Sequence, residues 1–249
     1  MIANKNKEIL NILIPMAGMW SRFKIKWYKL PKPLIKVKWK PMFYWALSSF
    51  NFLKSNYYLQ YIFIVLKEHI LNYQIDNYIK NIVKNPIIVA IDTVTRWQLE
   101  TSLKAKKYIN NSTKLIVFNS DTYTIFDENN FPLYDNNING LITCFNSSNR
   151  NYSYVRTNRE KLVLEVAEKK VISNYATNWM YYFNKWKLFV KYGEQMIKDN
   201  NLFNWEFYVW PLYNFLINDN KVIKMSLVKE NWILWTPEEL DYFNKNYNK

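Results

Sequence analysis

Short, continuously apolar segments alternate with segments of helical periodicity along the first half of the chain. The apolar segments are residues 9–14, 32–37, 61–66, 87–91 and 114–118. The helical patterns are residues 42–53, 68–84 and 99–109. Strands buried on both faces have continuous apolar sequences, and helices usually connect parallel neighbours. The alternation therefore predicts an α/β protein with an open, mostly parallel sheet between two layers of helices, a Rossmann-like α/β/α arrangement.

The second half of the chain is more mixed. Strands are predicted at residues 140–145, 152–155, 162–166 and 179–183, and helices at residues 189–199, 207–217 and 238–244. Thr236 and Pro237 suit the N-cap and first position of the last helix. No repeat or low-complexity linker interrupts the chain, so we predict one domain over residues 1–225 with a C-terminal extension, 226–249, packed on it.

Composition excludes several classes of protein. The single cysteine, Cys144, rules out a disulfide framework and favours the cytoplasm, and no apolar run is long enough to span a membrane. The lone histidine, His69, predicts an ordinary helix residue rather than a metal ligand. The formal net charge of +14 suits a phosphorylated substrate, but no dense basic block indicates nucleic acid binding. An oligomer is compatible with the sequence.

A phosphate-binding pattern follows the first predicted strand. The segment is Leu13-Ile14-Pro15-Met16-Ala17-Gly18-Met19-Trp20-Ser21-Arg22-Phe23. Loops of small residues after a strand bring backbone N–H groups close to phosphates, and arginine offers phosphate a planar fork of donors. The segment resembles the signature loop of sugar-phosphate nucleotidyltransferases, Ala-Gly-any-Gly-Ser/Thr-Arg.

Further segments at the family's spacing strengthen this resemblance. They are Leu30-Pro31-Lys32-Pro33-Leu34-Ile35, Lys40-Pro41-Met42 and Asn119-Ser120-Asp121, the last of which ends the fifth predicted strand. Segments at residues 165–169, 204–214 and 234–240 also resemble the family. The resemblance covers about residues 10–244 and is greatest to the branch associated with capsule and surface-polysaccharide precursors.

The resemblance implies the GT-A-like nucleotidyltransferase fold and a definite reaction. A sugar-phosphate oxygen attacks the α-phosphorus of a nucleoside triphosphate, and pyrophosphate leaves. Catalytic roles are implied for Arg22, Lys32 and Asp121, with Asp121 also holding Mg²⁺. Nucleotide contacts are implied for Ala17, Gly18, Trp20, Ser21, Trp97 and Gln98. Sugar-phosphate contacts are implied for Gly140, Glu168, Lys169 and Glu206.

One departure from the family concerns the metal. Many relatives have a second metal-binding aspartate shortly before the terminal Gly-Thr, and this chain has Ile233 there. Glu230 is the nearby carboxylate that we assign as its replacement.

Glycine and tryptophan occur in unusual proportions. The chain has three glycines and eleven tryptophans in 249 residues, whereas glycine usually makes up about 7% of a protein. Seven tryptophans stand where the family has, or commonly has, glycine: Trp20, Trp27, Trp39, Trp97, Trp179, Trp186 and Trp235. Trp205 is a further candidate, whereas Trp45 and Trp232 suit the family pattern as they are.

We predict that these tryptophans are glycines in the natural protein. An indole at Trp20 would lie in the path of the triphosphate, and a side chain on a backbone that needs glycine costs about 1–3 kcal/mol. The codons GGA and UGA differ by one base. Some bacteria with reduced genomes read UGA as glycine, whereas the commoner variant code reads it as tryptophan. The abundance of Asn, Lys, Ile and Tyr fits an AT-rich gene.

Two other functions stay open at this point. A nucleotide-sugar glycosyltransferase has a related sheet, but it usually carries Asp-any-Asp where this chain has Asp121-Thr122-Tyr123. A non-catalytic module that binds nucleotide or sugar would fit the missing second aspartate. The sequence selects neither the nucleotide nor the sugar, and choline phosphate remains an alternative acceptor.

Overall fold

The computed structural model describes residues 7–19, 21–200 and 208–248. The strands are β1 (Glu8–Pro15), β2 (Lys36–Val37), β3 (Lys40–Pro41), β4 (Tyr57–Leu66), β5 (Ile87–Ile91), β6 (Lys114–Val117), β7 (Thr122–Phe126), β8 (Gly140–Asn146), β9 (Tyr154–Thr157), β10 (Val163–Ala167), β11 (Tyr175–Phe183) and β12 (Ile223–Ile233). The helices are α1 (Ser21–Ile25), α2 (Met42–Ser48), α3 (Lys67–Tyr73), α4 (Ile75–Ile82), α5 (Gln98–Leu103), α6 (Trp186–Lys198), α7 (Leu212–Asn218) and α8 (Pro237–Asn246).

Ten of the strands form one mixed sheet. Its order is β5-β4-β1-β6-β11-β8-β12-β7, and the β9–β10 hairpin joins it through β11. The first four strands in this order are parallel to one another, and β11 continues the sheet antiparallel to β6. The carboxyl ends of β1, β4 and β6 therefore meet at one edge, where ligands of open α/β sheets bind.

Helices cover both faces of the sheet, and β1 shows how the sequence separates the two faces. Its side chains alternate, with Leu13 in the core under α5, α6 and α7 and with Ile12 and Ile14 in the core under α2 and α4. A strand that is buried on both faces needs apolar residues at every position, which explains its continuous apolar sequence. The predicted three-layer, mostly parallel α/β fold is confirmed.

A smaller core attaches the C-terminal helix to the corner of the sheet that holds the phosphate-loop segment. Phe23 of α1, Met42 of α2 and Phe243 of α8 are fully buried together. Helix α8 begins with a complete capping box between Thr236 and Glu239, as the Thr-Pro start predicts. The predicted boundary at residues 225/226 falls inside β12, so residues 226–233 are part of the sheet.

Some local predictions differ from the structure. Residues 32–37 were expected to form one strand, but Lys32–Leu34 form a 3-10 helix and only Lys36–Val37 are extended. Pro31 and Pro33 restrict the backbone and donate no hydrogen bond to a ladder. Strand β7 was not predicted, and most of β12 was assigned to the extension. Within the described ranges, no helix is long and apolar enough to cross a membrane.

Candidate active site

A partly buried ion pair lies at the carboxyl edge of the sheet. The Nζ of Lys32 donates to Oδ2 of Asp121 at 2.5 Å and to the carbonyl oxygen of Trp235 at 3.3 Å. The lysine and aspartate side chains are only 15% and 18% exposed. The ring of Phe23 packs under the ammonium group, with its centroid 5.4 Å from Nζ. Three segments far apart in sequence thus fix one cation and one carboxylate where a ligand can reach them.

Asp121 has an oxygen left over for a ligand. Its Oδ1 is buried and has no hydrogen-bond partner among the described residues. Buried carboxylate oxygens normally have a partner, since an unpaired one is costly. Mg²⁺ prefers oxygen ligands and is commonly held by one or two carboxylates together with substrate phosphates. The residues present therefore fit one Mg²⁺ that takes its remaining ligands from water and phosphate.

Asp121 provides this carboxylate without others beside it. No group of three or more His, Cys, Asp or Glu side chains that could hold a metal occurs in the described part of the chain. Ile233 pairs with Thr122, so the position of the family's second aspartate lies beside Asp121 but carries an alkyl group.

Glu230 is not a second ligand of this site. It pairs with Ile125 of β7, three residues along the ladder from Thr122, or about 10 Å at the usual rise of a strand. Its Oε2 accepts a hydrogen bond from Nε1 of Trp232 at 3.0 Å. Glu230 is close to Ile233 in sequence, but an extended strand separates the two residues by about 10 Å. The assignment of Glu230 as the replacement ligand is therefore wrong.

The phosphate-loop segment leads from β1 to this ion pair. Ala17 is buried, and Gly18 is exposed; apart from its chain neighbours, no described residue has an atom within 4 Å of where a Gly18 Cβ would lie. Arg22 lies in α1 and is exposed. Trp20 lies outside the described residues, and Ser21 begins α1.

Gln98 meets a residue that the sequence analysis did not single out. Its Nε2 donates to Oδ1 of Asn119 at 2.5 Å. Gln98 begins α5, and Asn119 follows β6 two residues before Asp121, so the predicted base contact lies near the predicted metal ligand. Trp97, next to Gln98, is 46% exposed and packs edge-on against Tyr208. We call Ala17, Gly18, Lys32, Gln98, Asn119 and Asp121 the loop half of the site.

The structure brings together only some of the residues predicted to contact the sugar phosphate. Glu168 is buried after β10 and accepts a hydrogen bond from Oγ of Ser153, which the sequence analysis missed. Lys169 follows with its side chain exposed, and its N–H donates to the carbonyl oxygen of Tyr152 at 3.2 Å. The antiparallel register of the two predicted strands could have revealed Ser153. Glu206 lies outside the described residues.

Gly140 is not brought to this site. It pairs with Phe183 at the far end of β11, whereas Thr177 and Trp179 lie toward the site. A Cβ at Gly140 would lie 2.8 Å from the Tyr213 ring and 3.0 Å from Ile223. The glycine is therefore required by packing, and the predicted sugar-phosphate contact is not supported.

Three aromatic residues, located just before β9, in β11 and just before α8, form a cluster. Tyr152, Trp179 and Trp235 contact one another edge-on, and the two indole centroids are 4.0 Å apart. Edge-to-face pairs usually have centroids about 4.5–7 Å apart, so the two indoles are crowded. Since the Trp235 carbonyl accepts from Lys32, this cluster adjoins the loop half. We call Tyr152, Ser153, Glu168, Trp179 and Trp235 the hairpin half.

Two exposed tryptophans occupy turns whose geometry favours glycine. Trp27 has φ 64° and is the C′ residue of a Schellman motif, in which Trp27 N–H donates to the Lys24 carbonyl and Tyr28 N–H to that of Phe23. Trp39 has φ 70° and follows Lys38, at φ 43°, as the central pair of the two-residue β2–β3 hairpin. Two positive φ values are typical of a type I′ turn, in which Asn-Gly is strongly preferred.

Two tryptophans near the site have the same property. Trp97 has φ 95° and ψ −176°, a combination adopted almost solely by glycine. Trp179 has φ 63° inside the irregular part of β11, where pairing shifts between Thr177 and Tyr181.

The other described tryptophans have no positive φ. They are Trp45, Trp186, Trp210, Trp232 and Trp235. The three glycines of the chain have none either. The backbone observation thus supports glycine at four of the seven predicted positions and does not extend to Trp186 or Trp235.

Comparison with solved structures identifies the fold. A nucleoside-diphosphate-sugar pyrophosphorylase from Vibrio cholerae is 26% identical, with a TM-score of 0.82 over 94% of this chain and 100% of that one. The inositol-1-phosphate CTP transferase from T. maritima is 11% identical, with a TM-score of 0.72 over 95% and 96%. A UDP-glucose pyrophosphorylase complexed with UDP-glucose is 16% identical, with a TM-score of 0.73 over 96% and 98%.

These structural neighbours are nucleotide-sugar pyrophosphorylases and nucleotidyltransferases, and the chain has their α/β fold. No protein-family model matches the sequence. No curated protein matches it either.

Proposed function

We propose that this protein transfers a nucleoside monophosphate from a nucleoside triphosphate to a sugar 1-phosphate and releases pyrophosphate, in the cytoplasm, for surface-polysaccharide precursors. The observation that carries the proposal is the Lys32–Asp121 pair, with one carboxylate oxygen unsatisfied, at the carboxyl edge of the sheet. The names of the structural neighbours support the general reaction. The loop resemblance supplies the polysaccharide role.

In this reaction an acceptor phosphate oxygen forms a bond to the α-phosphorus as the bond from that phosphorus to the bridging oxygen breaks. No protein nucleophile is needed, so the residues position and neutralise the substrates. Arg22 and Lys32 offset charge on the triphosphate, and Gln98 contacts the base. Glu168 accepts hydrogen bonds from acceptor hydroxyl groups while Lys169 meets the acceptor phosphate.

Asp121 would hold Mg²⁺ through Oδ1. A bound Mg²⁺ would withdraw charge from the α-phosphate and the leaving pyrophosphate. Lys32 donates to the other oxygen of the same carboxylate, so it would hold the carboxylate in place with Oδ1 left for the metal. Glu206 completes the acceptor contacts by resemblance.

We also propose that the natural protein has glycine at positions 20, 27, 39, 97, 179 and 235, and we call this sequence the glycine form. Positive φ supports four of these positions. The crowded Trp179–Trp235 contact supports position 235, and the loop resemblance supports position 20. A gene with UGG at Trp39 and Trp97 would contradict this proposal, since UGG is tryptophan in every one of the codes considered.

The proposed function is tested with the glycine form, Mg²⁺ and panels of nucleoside triphosphates and phosphorylated acceptors, including choline phosphate. One substrate pair is expected to give pyrophosphate and a nucleotide sugar in equal amounts, identified by mass spectrometry. Release of a nucleoside diphosphate from a nucleotide sugar would identify a glycosyltransferase instead. A folded glycine form that binds nucleotide without turnover would be the binding module.

A further inference from the structure

Ser153 and Glu168 face each other at the open end of the β9–β10 hairpin. Ala167 pairs with Tyr154, so the next antiparallel pair brings together Ser153, just before β9, and Glu168, just after β10. Both residues are buried, at 1% and 7% exposure. The Ser153 Oγ donates a hydrogen bond to Oε2 of Glu168. A buried carboxylate needs such donors to remain charged, so this contact is one of those that hold the side chain in place.

The backbone on both sides of Ser153 is held by other segments. The Ser153 carbonyl accepts from the N–H of Thr177 at 2.9 Å, and the Tyr152 carbonyl accepts from the N–H of Lys169 at 3.2 Å. Thr177 lies at the start of the irregular part of β11 that carries Trp179. The backbone that carries the hydroxyl is therefore fixed relative to β11 and to the chain that follows β10.

We infer that Ser153 is a positioning residue that orients the Glu168 carboxylate toward the hydroxyl groups of the acceptor. A carboxylate has about four acceptor positions, and a hydrogen bond at one of them sets the direction of the rest. The inference rests on the proposed function, in which Glu168 contacts the acceptor.

The test compares Ser153→Ala with Ser153→Thr in the full-length glycine form. A hydrogen bond to a charged group accounts for about 10- to 100-fold in an equilibrium constant. Ser153→Ala is expected to raise KM for the sugar 1-phosphate by that factor while leaving kcat and KM for the nucleotide within about twofold. Ser153→Thr retains a hydroxyl and is expected to restore most of the affinity.

Two further measurements separate positioning from a merely structural role. In a Glu168→Gln background, Ser153→Ala is expected to have little additional effect on sugar-phosphate KM, since the two residues act through one contact. Loss of one donor to the buried carboxylate is expected to lower the melting temperature of Ser153→Ala by only a few degrees, about the shift that 1 kcal/mol gives in a chain of this size. An unchanged sugar-phosphate KM in Ser153→Ala, or equal rises in KM for both substrates, would overturn the inference.

Calorimetry of sugar 1-phosphate binding distinguishes failure of this inference from failure of the proposed function. Should the glycine form bind sugar phosphate without turnover, weaker binding by Ser153→Ala would still support the positioning role. Should it neither turn over nor bind sugar phosphate, both the role of Ser153 and the proposed function would be rejected. A parent that turns over and a Ser153→Ala variant with unchanged binding would reject only the role of Ser153.

Discussion

The loop half and the hairpin half of the site differ in what fills the space between their polar groups. In the loop half, Lys32, Asp121 and Gln98 contact polar partners, and the described residues leave space where a Gly18 Cβ would lie. In the hairpin half, the rings of Trp179 and Trp235 crowd against each other beside the buried Glu168. The difference shows that large side chains crowd one half of the site, whereas polar contacts dominate the other.

The positive φ values show that four tryptophans have a backbone conformation typical of glycine. The strands and helices on each side of a turn or bulge pack into the apolar core and thereby impose its backbone geometry. A residue with a Cβ adopts that left-handed conformation at a cost of about 1–2 kcal/mol. Four different motifs, a Schellman cap, a hairpin turn, a helix start and a strand bulge, all contain tryptophan at the position that favours glycine.

The largest expected effect lies in the loop half. Asp121→Asn in the glycine form is expected to reduce Mg²⁺-dependent pyrophosphate release by about 10²–10³-fold, because the metal loses its charged protein ligand. Initial rates over a range of Mg²⁺ concentrations measure this. Asp135→Asn, which removes an ion pair with Lys224 away from the site, is the matched control. Equal activity in the two variants would remove Asp121 from the mechanism.

The next prediction contrasts two tryptophans of the same corner of the fold. Trp45 contacts Tyr123, Phe243 and Tyr247, and its Nε1 donates to the Val37 carbonyl at 2.9 Å. Replacing it with alanine is expected to lower the free energy of unfolding by about 3–5 kcal/mol. Trp39 is 88% exposed, so Trp39→Ala is expected to change it by less than about 1 kcal/mol. Urea denaturation of both variants measures the difference.

A third prediction isolates the backbone from the side chain. At Trp39 and Trp97, glycine is expected to be more stabilising than alanine by about 1–2 kcal/mol, since alanine keeps the strain of positive φ. At Trp45, with ordinary φ, glycine is expected to be less stabilising than alanine by about 0.5–1 kcal/mol. Thermal or urea unfolding of the three Gly/Ala pairs gives the values. Alanine equal to or better than glycine at Trp97 would contradict a glycine backbone there.

The smallest effect concerns pH and the helix that follows β4. His69 is buried, and its Nδ1 has no partner in the described ranges. Burial lowers the pKa of His69 below its usual value, Glu68 raises this pKa, and Lys24 lowers it further. The unfolded chain takes up a proton near pH 6.5, about the ordinary histidine pKa, while folded His69 stays neutral to lower pH.

The stabilisation by neutral His69 is therefore complete above about pH 6.5 and is lost as the pH falls through the folded pKa. The free energy of unfolding is expected to decrease on acidification by at most about 1.4 kcal/mol per pH unit from this group. His69→Gln is expected to flatten that part of the profile while Lys7→Gln, at the other end of the sheet, leaves it unchanged. An identical slope in His69→Gln would contradict the neutral, buried state.

The sequence analysis predicted the features that depend on local patterns. Continuous apolar segments located β1, β4, β5 and β6, and the Pro-Lys-Pro and Asn-Ser-Asp segments located the two members of the ion pair. Local patterns do not predict the features that depend on tertiary register. Gly140 lies at the far end of its strand, and Glu230 lies three ladder positions from Thr122. Asn119 and Ser153 are recognised only through contacts with residues 21 and 15 positions away in sequence. Two prolines also replaced a predicted strand with a 3-10 turn.

The most direct test of the central claim compares two full-length proteins. One has glycine at positions 20, 27, 39 and 97, and the other is the complete glycine form, which also has glycine at positions 179 and 235. Pyrophosphate release is measured with Mg²⁺ and the nucleoside triphosphate and sugar 1-phosphate that the substrate panels select. The affinity of each protein for the nucleotide is measured as well. We predict similar nucleotide affinity in both and release only from the glycine form, because the crowded indoles of Trp179 and Trp235 remain in the hairpin half of the first protein. Equal release from both, or release from neither, would contradict the account.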